Sequence, residues 1–129
     1  MAINTHGRPL SPHLQVYRLP LTAWLSILHR GTGVVLSLGL ILLTAWLFSL
    51  ALGVEAFDCV SLLTTGWFGK LVLAGFSFCL FYHLANGLRH LVWDTGRGLD
   101  LKSNAKLNIA VIISSVIMTA IAWCLAYCV

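Results

Sequence analysis

His83 is a lone imidazole inside a stretch, Leu71 to Leu88, that carries no Asp, Glu, Lys or Arg, and His90 stands two helical turns later at its rim. Ionisable side chains at bilayer depth are expensive and usually functional. The segment reads Phe81-Tyr82-His83-Leu84-Ala85-Asn86-Gly87-Leu88-Arg89-His90-Leu91-Val92-Trp93-Asp94. A helical pitch of about 3.6 residues stacks His83, Gly87, His90 and Asp94 in one stripe, with Tyr82, Asn86, Arg89 and Trp93 beside it. Neutral imidazole is a common transition-metal ligand, and a glycine one turn away lets a flat group approach the backbone, which points to haem and electron transfer. His83 and His90 lie about 10 Å apart along the same side of one helix, so they do not grip one iron from opposite faces. His29, the other histidine near the membrane, is expected at the boundary, well short of the depth of His83. A partner protein is therefore the simpler source of a sixth ligand.

A second polar group precedes the first apolar stretch, in Thr22-Ala23-Trp24-Leu25-Ser26-Ile27-Leu28-His29-Arg30. Helical spacing places Thr22, Ser26, His29 and Arg30 along one face at the bilayer boundary. One reading is an interfacial segment whose Arg30 snorkels to lipid phosphates. The sharper reading is a niche for a quinone: a hydroxyl donor at Ser26 and a cation at Arg30 would hold its carbonyl and the negative charge that develops on reduction.

The elements that position these groups follow from the charges. The chain is 59% hydrophobic and 9% charged, against about 25% charged in a soluble domain, and 129 residues are too few to bury so many apolar groups in a core of their own. No Asp, Glu, Lys or Arg lies between Arg30 and Glu55, between Lys70 and Arg89, or between Lys106 and Val129. Each gap accommodates a helix of about 20 residues. The expected fold is an all-α integral membrane domain: an inner-face arm over 1–20, a short interfacial helical segment and helix one over 21–53, helix two over 67–94 and helix three over 105–129. Gly31-Thr32-Gly33 would open the first span and Gly53 close it. Trp67 and Trp93 would anchor the second, Trp123 and Tyr127 the far end of the third. Only small loops are expected between spans.

Arg8, Arg18 and Arg30 precede helix one and Arg97, Lys102 and Lys106 separate helices two and three, whereas the other loop holds Glu55 and Asp58, with Lys70 at its end. The positive-inside rule then puts the N-terminus in the cytoplasm and the C-terminus in the periplasm. The net charge of +4 reports that asymmetry, and no nucleic-acid partner is expected. Residues 1–20 lack the apolar core of a secretory signal and the character of a transit peptide, which favours a bacterial inner membrane. Cys59, Cys79, Cys124 and Cys128 have no Cys-x-x-Cys spacing, and no phosphate loop, nucleophile elbow or paired-carboxylate arrangement supports self-contained catalysis.

Arg8-Pro9-Leu10-Ser11-Pro12-His13-Leu14, then Ser26-Ile27-Leu28-His29-Arg30-Gly31-Thr32-Gly33, then His83-x-x-Asn86-Gly87-x-Arg89-His90-Leu91-x-Trp93-Asp94 together resemble the cytochrome b556 membrane-anchor subunits of succinate dehydrogenase, respiratory complex II. The resemblance spans the chain. It implies that His83 is an axial ligand of haem b, with the second axial histidine on a companion anchor subunit. It also implies that Ser26, Ile27 and Arg30 line a ubiquinone site, that His29, Arg30 and His90 lie near the haem, and that electrons arrive from a flavoprotein through an iron-sulfur subunit on the inner face. The residues leave other readings open: a non-redox anchor, or a haem subunit of another quinone-linked dehydrogenase. Tyr82 and Asn86 read as interhelical hydrogen-bonders, and Asp94 as a cap or a partner of Arg89 or Arg97.

Overall fold

The computed structural model describes residues 17–128. Most of the expected arm, with the Arg8 to Leu14 motif, lies outside the described residues, as does Val129. The described chain is helical: α1 Leu21–Leu52, α2 Val54–Thr65, α3 Trp67–Asp94 and α4 Leu101–Cys128. α1, α3 and α4 are each long and apolar enough to cross a membrane, because a chain surrounded by lipid must satisfy its backbone internally and helices do so within one segment.

The separate interfacial segment expected before helix one does not form. Its residues are the first turns of α1, a single 32-residue helix about 48 Å long at 1.5 Å per residue, well beyond the roughly 30 Å of hydrocarbon in a bilayer. Gly31 and Gly33 each weaken a helix by about 1 kcal/mol relative to alanine. Away from water, however, their amide groups have no better partner than the helix itself, so the glycines stay inside it. Gly53 does end α1: its φ of 112° lies in a region that a Cβ disfavours, and it turns the chain directly into the next helix.

α2 is a second departure, since residues 54–65 read as a loop on account of Glu55 and Asp58. Glu55 lies in its first turn, where a carboxylate complements the positive end of the helix dipole. α4 begins four residues earlier than the expected 105 because Asp100 caps it. The Ser103 N–H donates to Asp100 Oδ2 at 2.9 Å, and that bond holds the Asp100 carboxyl below its ordinary range. Chemistry at the cap, rather than the last basic residue, sets the helix start.

α3 packs against both α1 and α4, and what it buries is largely polar. Asn86, Arg89, Asn108 and Ser115 are buried together with Leu25, Tyr82 and Val111, while leucines, isoleucines and valines along α1 and α4 face outward. This distribution suits lipid, which provides no hydrophobic drive between helices and leaves small side chains and hydrogen bonds to join them. Arg89 donates from Nη1 to Asn108 Oδ1, and Asn108 Nδ2 donates to Thr22 Oγ1 at 2.8 Å. Asn104 Nδ2 donates to the same hydroxyl at 3.2 Å, and Tyr82 OH donates to the Leu25 carbonyl at 2.8 Å. Interhelical bonds of this kind contribute about 0.6 to 2 kcal/mol each in membranes. Together they fix α1, α3 and α4 in one register at the end where α3 turns into α4.

Candidate functional site

That register brings His29, His83 and His90 together. The antiparallel course of α1 and α3 lays the imidazole of His29 on that of His83, with ring centroids 4.0 Å apart and planes 25° from parallel. His90 approaches His29 at 5.5 Å and meets the Trp93 ring edge-on at 5.0 Å. His29 is therefore level with His83, and the depth difference expected from counting residues is absent. Depth along one helix says nothing of how far its neighbour slides.

Stacking does not make His29 and His83 a ligand pair. To hold one metal from opposite sides, the two rings would have to direct their nitrogens at a shared centre. Here the faces meet instead.

Thr32, near the start of the first apolar span, touches both histidines. Its Oγ1 lies 2.8 Å from the His29 carbonyl oxygen and 3.2 Å from His83 Nδ1. One residue on, a Cβ at Gly33 would stand 3.3 Å from His83 Cε1, so the ring is seated against the bare backbone of α1. On the His83 stripe of α3, no neighbouring atom lies within 4 Å of where a Cβ of Gly87 would be. Among the described residues, several buried side-chain polar atoms have no hydrogen-bond partner, and beside the histidines these include His29 Nε2 and Trp93 Nε1, with Asn86 and Arg89 of α3 among the others. A face that is open at Gly87, carries imidazole nitrogens and is flanked by unpaired ring nitrogens fits a flat group with a metal centre and acidic edges.

The second group is placed on the opening turns of α1. Ser26 is half-buried, Ile27 and Arg30 are exposed, and Ser26 and Arg30 stand one turn apart on the same helix. Thr22 does not join them, because its hydroxyl is occupied by Asn104 and Asn108 of α4. Arg89, one candidate partner for Asp94, is turned instead into the bundle, with its guanidinium 4.5 Å over the Trp93 ring. Asn108 has no place in the sequence-level pattern, and the sequence does not show that Arg89 bonds to it or that Thr32 meets both histidines. A faint signal existed for Asn108: Asn104 and Asn108, four apart around the start of the last charge-free span, mark one polar helix face.

The fold and these side chains define a multi-pass membrane protein whose second span carries a histidine cluster facing the first. The family described as succinate dehydrogenase/fumarate reductase transmembrane subunit matches residues 4–122. Among its relatives, the succinate dehydrogenase cytochrome b556 subunit of Paracoccus denitrificans is 44% identical over 119 residues, covering 92% of each chain. The corresponding subunit of Rickettsia bellii is 42% identical over 118 residues, 90% of each. The mitochondrial cytochrome b560 subunit of Sus scrofa is 40% identical over 119 residues, 86% of this chain and 67% of its own. The chain belongs to the succinate dehydrogenase/fumarate reductase transmembrane-subunit family, among its cytochrome b556 subunits.

Proposed function

We propose that this chain is the larger membrane anchor of a succinate:ubiquinone oxidoreductase, that His83 gives haem b one axial ligand, and that Ser26, Ile27 and Arg30 form part of the ubiquinone site. The observation that carries the reading is the seating of His83 between Gly33, Thr32 and His29 on a face left open at Gly87. The second axial histidine comes from a smaller anchor subunit, since the faces of His29 and His83 meet and His90 shares the side of α3 that His83 occupies. Haem held there would supply a one-electron carrier within the bilayer. His29, stacked on His83, His90, near His29, and Arg30, next to His29 in sequence, would offer donors or positive charge to its acidic edge.

Succinate oxidation sends two electrons to each quinone, which takes up two protons from water at the membrane surface to become the quinol. The Ser26 hydroxyl donates to a quinone carbonyl, and the Arg30 guanidinium holds the negative charge that grows there as electrons arrive. Ile27, exposed beside them, offers an apolar wall to the ring. The soluble partners, an iron-sulfur subunit and a flavoprotein, dock on the face from which α1 starts and at which α3 turns into α4.

Purification through a tag on this chain is expected to recover a flavin-containing and an iron-sulfur subunit, with a b-type band in the dithionite-reduced minus oxidised spectrum. Recovery of those subunits without the band would leave a structural anchor, and recovery of a different dehydrogenase would move the haem to another quinone-linked enzyme. Orientation is tested separately. With the native cysteines replaced by serine, Asp58→Cys on α2 is expected to react with an impermeant maleimide from the periplasmic side, as basic-residue asymmetry requires for a bacterial inner-membrane protein. Labelling only from the cytoplasm would invert the topology.

A further inference from the structure

The contacts of Thr32 determine which nitrogen of His83 carries its proton. A threonine hydroxyl has one hydrogen and two lone pairs, whereas a carbonyl oxygen only accepts. The 2.8 Å contact with the His29 carbonyl therefore commits the Thr32 proton to that bond. The 3.2 Å contact with His83 Nδ1 is then a hydrogen bond only if Nδ1–H donates to a lone pair of Thr32 Oγ1. A neutral imidazole protonated at Nδ1 has its free lone pair at Nε2. The opposite assignment, with Thr32 donating to a bare Nδ1, leaves the proton on Nε2 and no metal-binding lone pair there.

We propose that Thr32 is a positioning residue for the haem ligand: it selects the Nδ1–H tautomer of His83, fixes the ring plane, and so presents Nε2 to iron. The inference rests on the reading of His83 as an axial ligand. Gly33 supports it independently, because a Cβ there would stand 3.3 Å from Cε1 and 3.8 Å from Nδ1 of His83. The Nδ1–Cε1 edge of the ring thus lies against α1, on the helix that carries the acceptor. His29, stacked on one ring face at 4.0 Å, limits rotation out of that plane. Donation from Nδ1–H also makes Nε2 a more basic ligand, which favours the oxidised iron.

The test uses the assembled complex with Thr32→Val, which keeps the β-branched shape and removes the hydroxyl, Thr32→Ser, which retains it, and His83→Leu. Thr32→Val is expected to release haem to an apo-globin acceptor about 10 to 100 times faster than wild type, the range in which loss of an outer-shell partner weakens metal sites. Its midpoint potential should rise and its low-temperature electron paramagnetic resonance g values should shift as the ring plane is freed, whereas Thr32→Ser should restore all three readings. Wild-type release, potential and g values in Thr32→Val, alongside a lost bis-histidine signal in His83→Leu, would refute the role of Thr32 and leave His83 as the ligand. A bis-histidine signal that persists in His83→Leu would instead remove the reading on which the role rests. If neither Thr32→Val nor the smaller Thr32→Ala assembles in haem-replete cells while Thr32→Ser does, the hydroxyl is needed for folding and the positioning role is overturned.

Discussion

Ser26→Ala lowers the rate of ubiquinone reduction on the order of 100-fold, the usual effect of removing one donor from a developing oxyanion, and leaves succinate oxidation by a soluble dye intact. The two rates separate because the dye takes electrons before they reach the membrane. Ser26 is half-buried on the opening turns of α1, beyond the length of helix that hydrocarbon requires. In the proposed site the hydroxyl would meet a lipid-borne ring at the protein's polar edge. Arg30→Leu removes the cation one turn away and affects the same step, with a larger share of the loss in kcat than in KM because negative charge grows only as electrons arrive. Steady-state assays with a short-chain ubiquinone against a phenazine dye check both variants. Unchanged quinone kinetics in both would sink the assignment.

His83→Leu removes the b-type spectrum, or converts it to that of a haem with one protein ligand, whereas His90→Leu keeps bis-histidine coordination and alters mainly the potential. The difference follows from position on α3. His83 is seated against Gly33 and Thr32 of α1, inside a span without charged residues, and has a nitrogen to offer a metal between helices. His90 stands edge-on to Trp93, next in sequence to the buried Arg89, and the role proposed for it is toward the edge of the group. Leucine at either position preserves helix propensity and hydrophobic volume, so both variants are expected to insert. Visible spectra of the purified complexes, normalised to flavin, distinguish the two.

The three spans were legible because lipid imposes one rule on every buried amide, and charge-free stretches of the required length record it. The rule marks where hydrocarbon begins and ends. It does not mark where a helix begins and ends, which is why α1 runs ten residues past its apolar stretch and α4 starts at the Asp100 cap. α2 was hidden for a related reason: Glu55 and Asp58 signal an aqueous side, and an aqueous segment is free to be helical.

The histidine stripe on α3 was legible from spacing alone, since His83, Gly87 and His90 share a face on any regular helix. The arrival of His29 on the ring of His83 was not, because it depends on how α1 and α3 slide past each other. That register is set by bonds that join distant positions: Tyr82 to Leu25, Asn108 to Thr22 and Arg89 to Asn108. Thr32 could not be distinguished from a routine small residue between two glycines until the register placed His83 beside it. Ser26 and Arg30 stand out by chemistry rather than by packing, and the quinone role proposed for them rests on residue type and spacing.

The most direct measurement is low-temperature electron paramagnetic resonance of the oxidised complex assembled with wild-type chain, His83→Leu or His90→Leu. A bis-histidine haem signal in wild type and His90→Leu, lost in His83→Leu, is the predicted result. A signal that survives in His83→Leu and vanishes in His90→Leu would contradict the account.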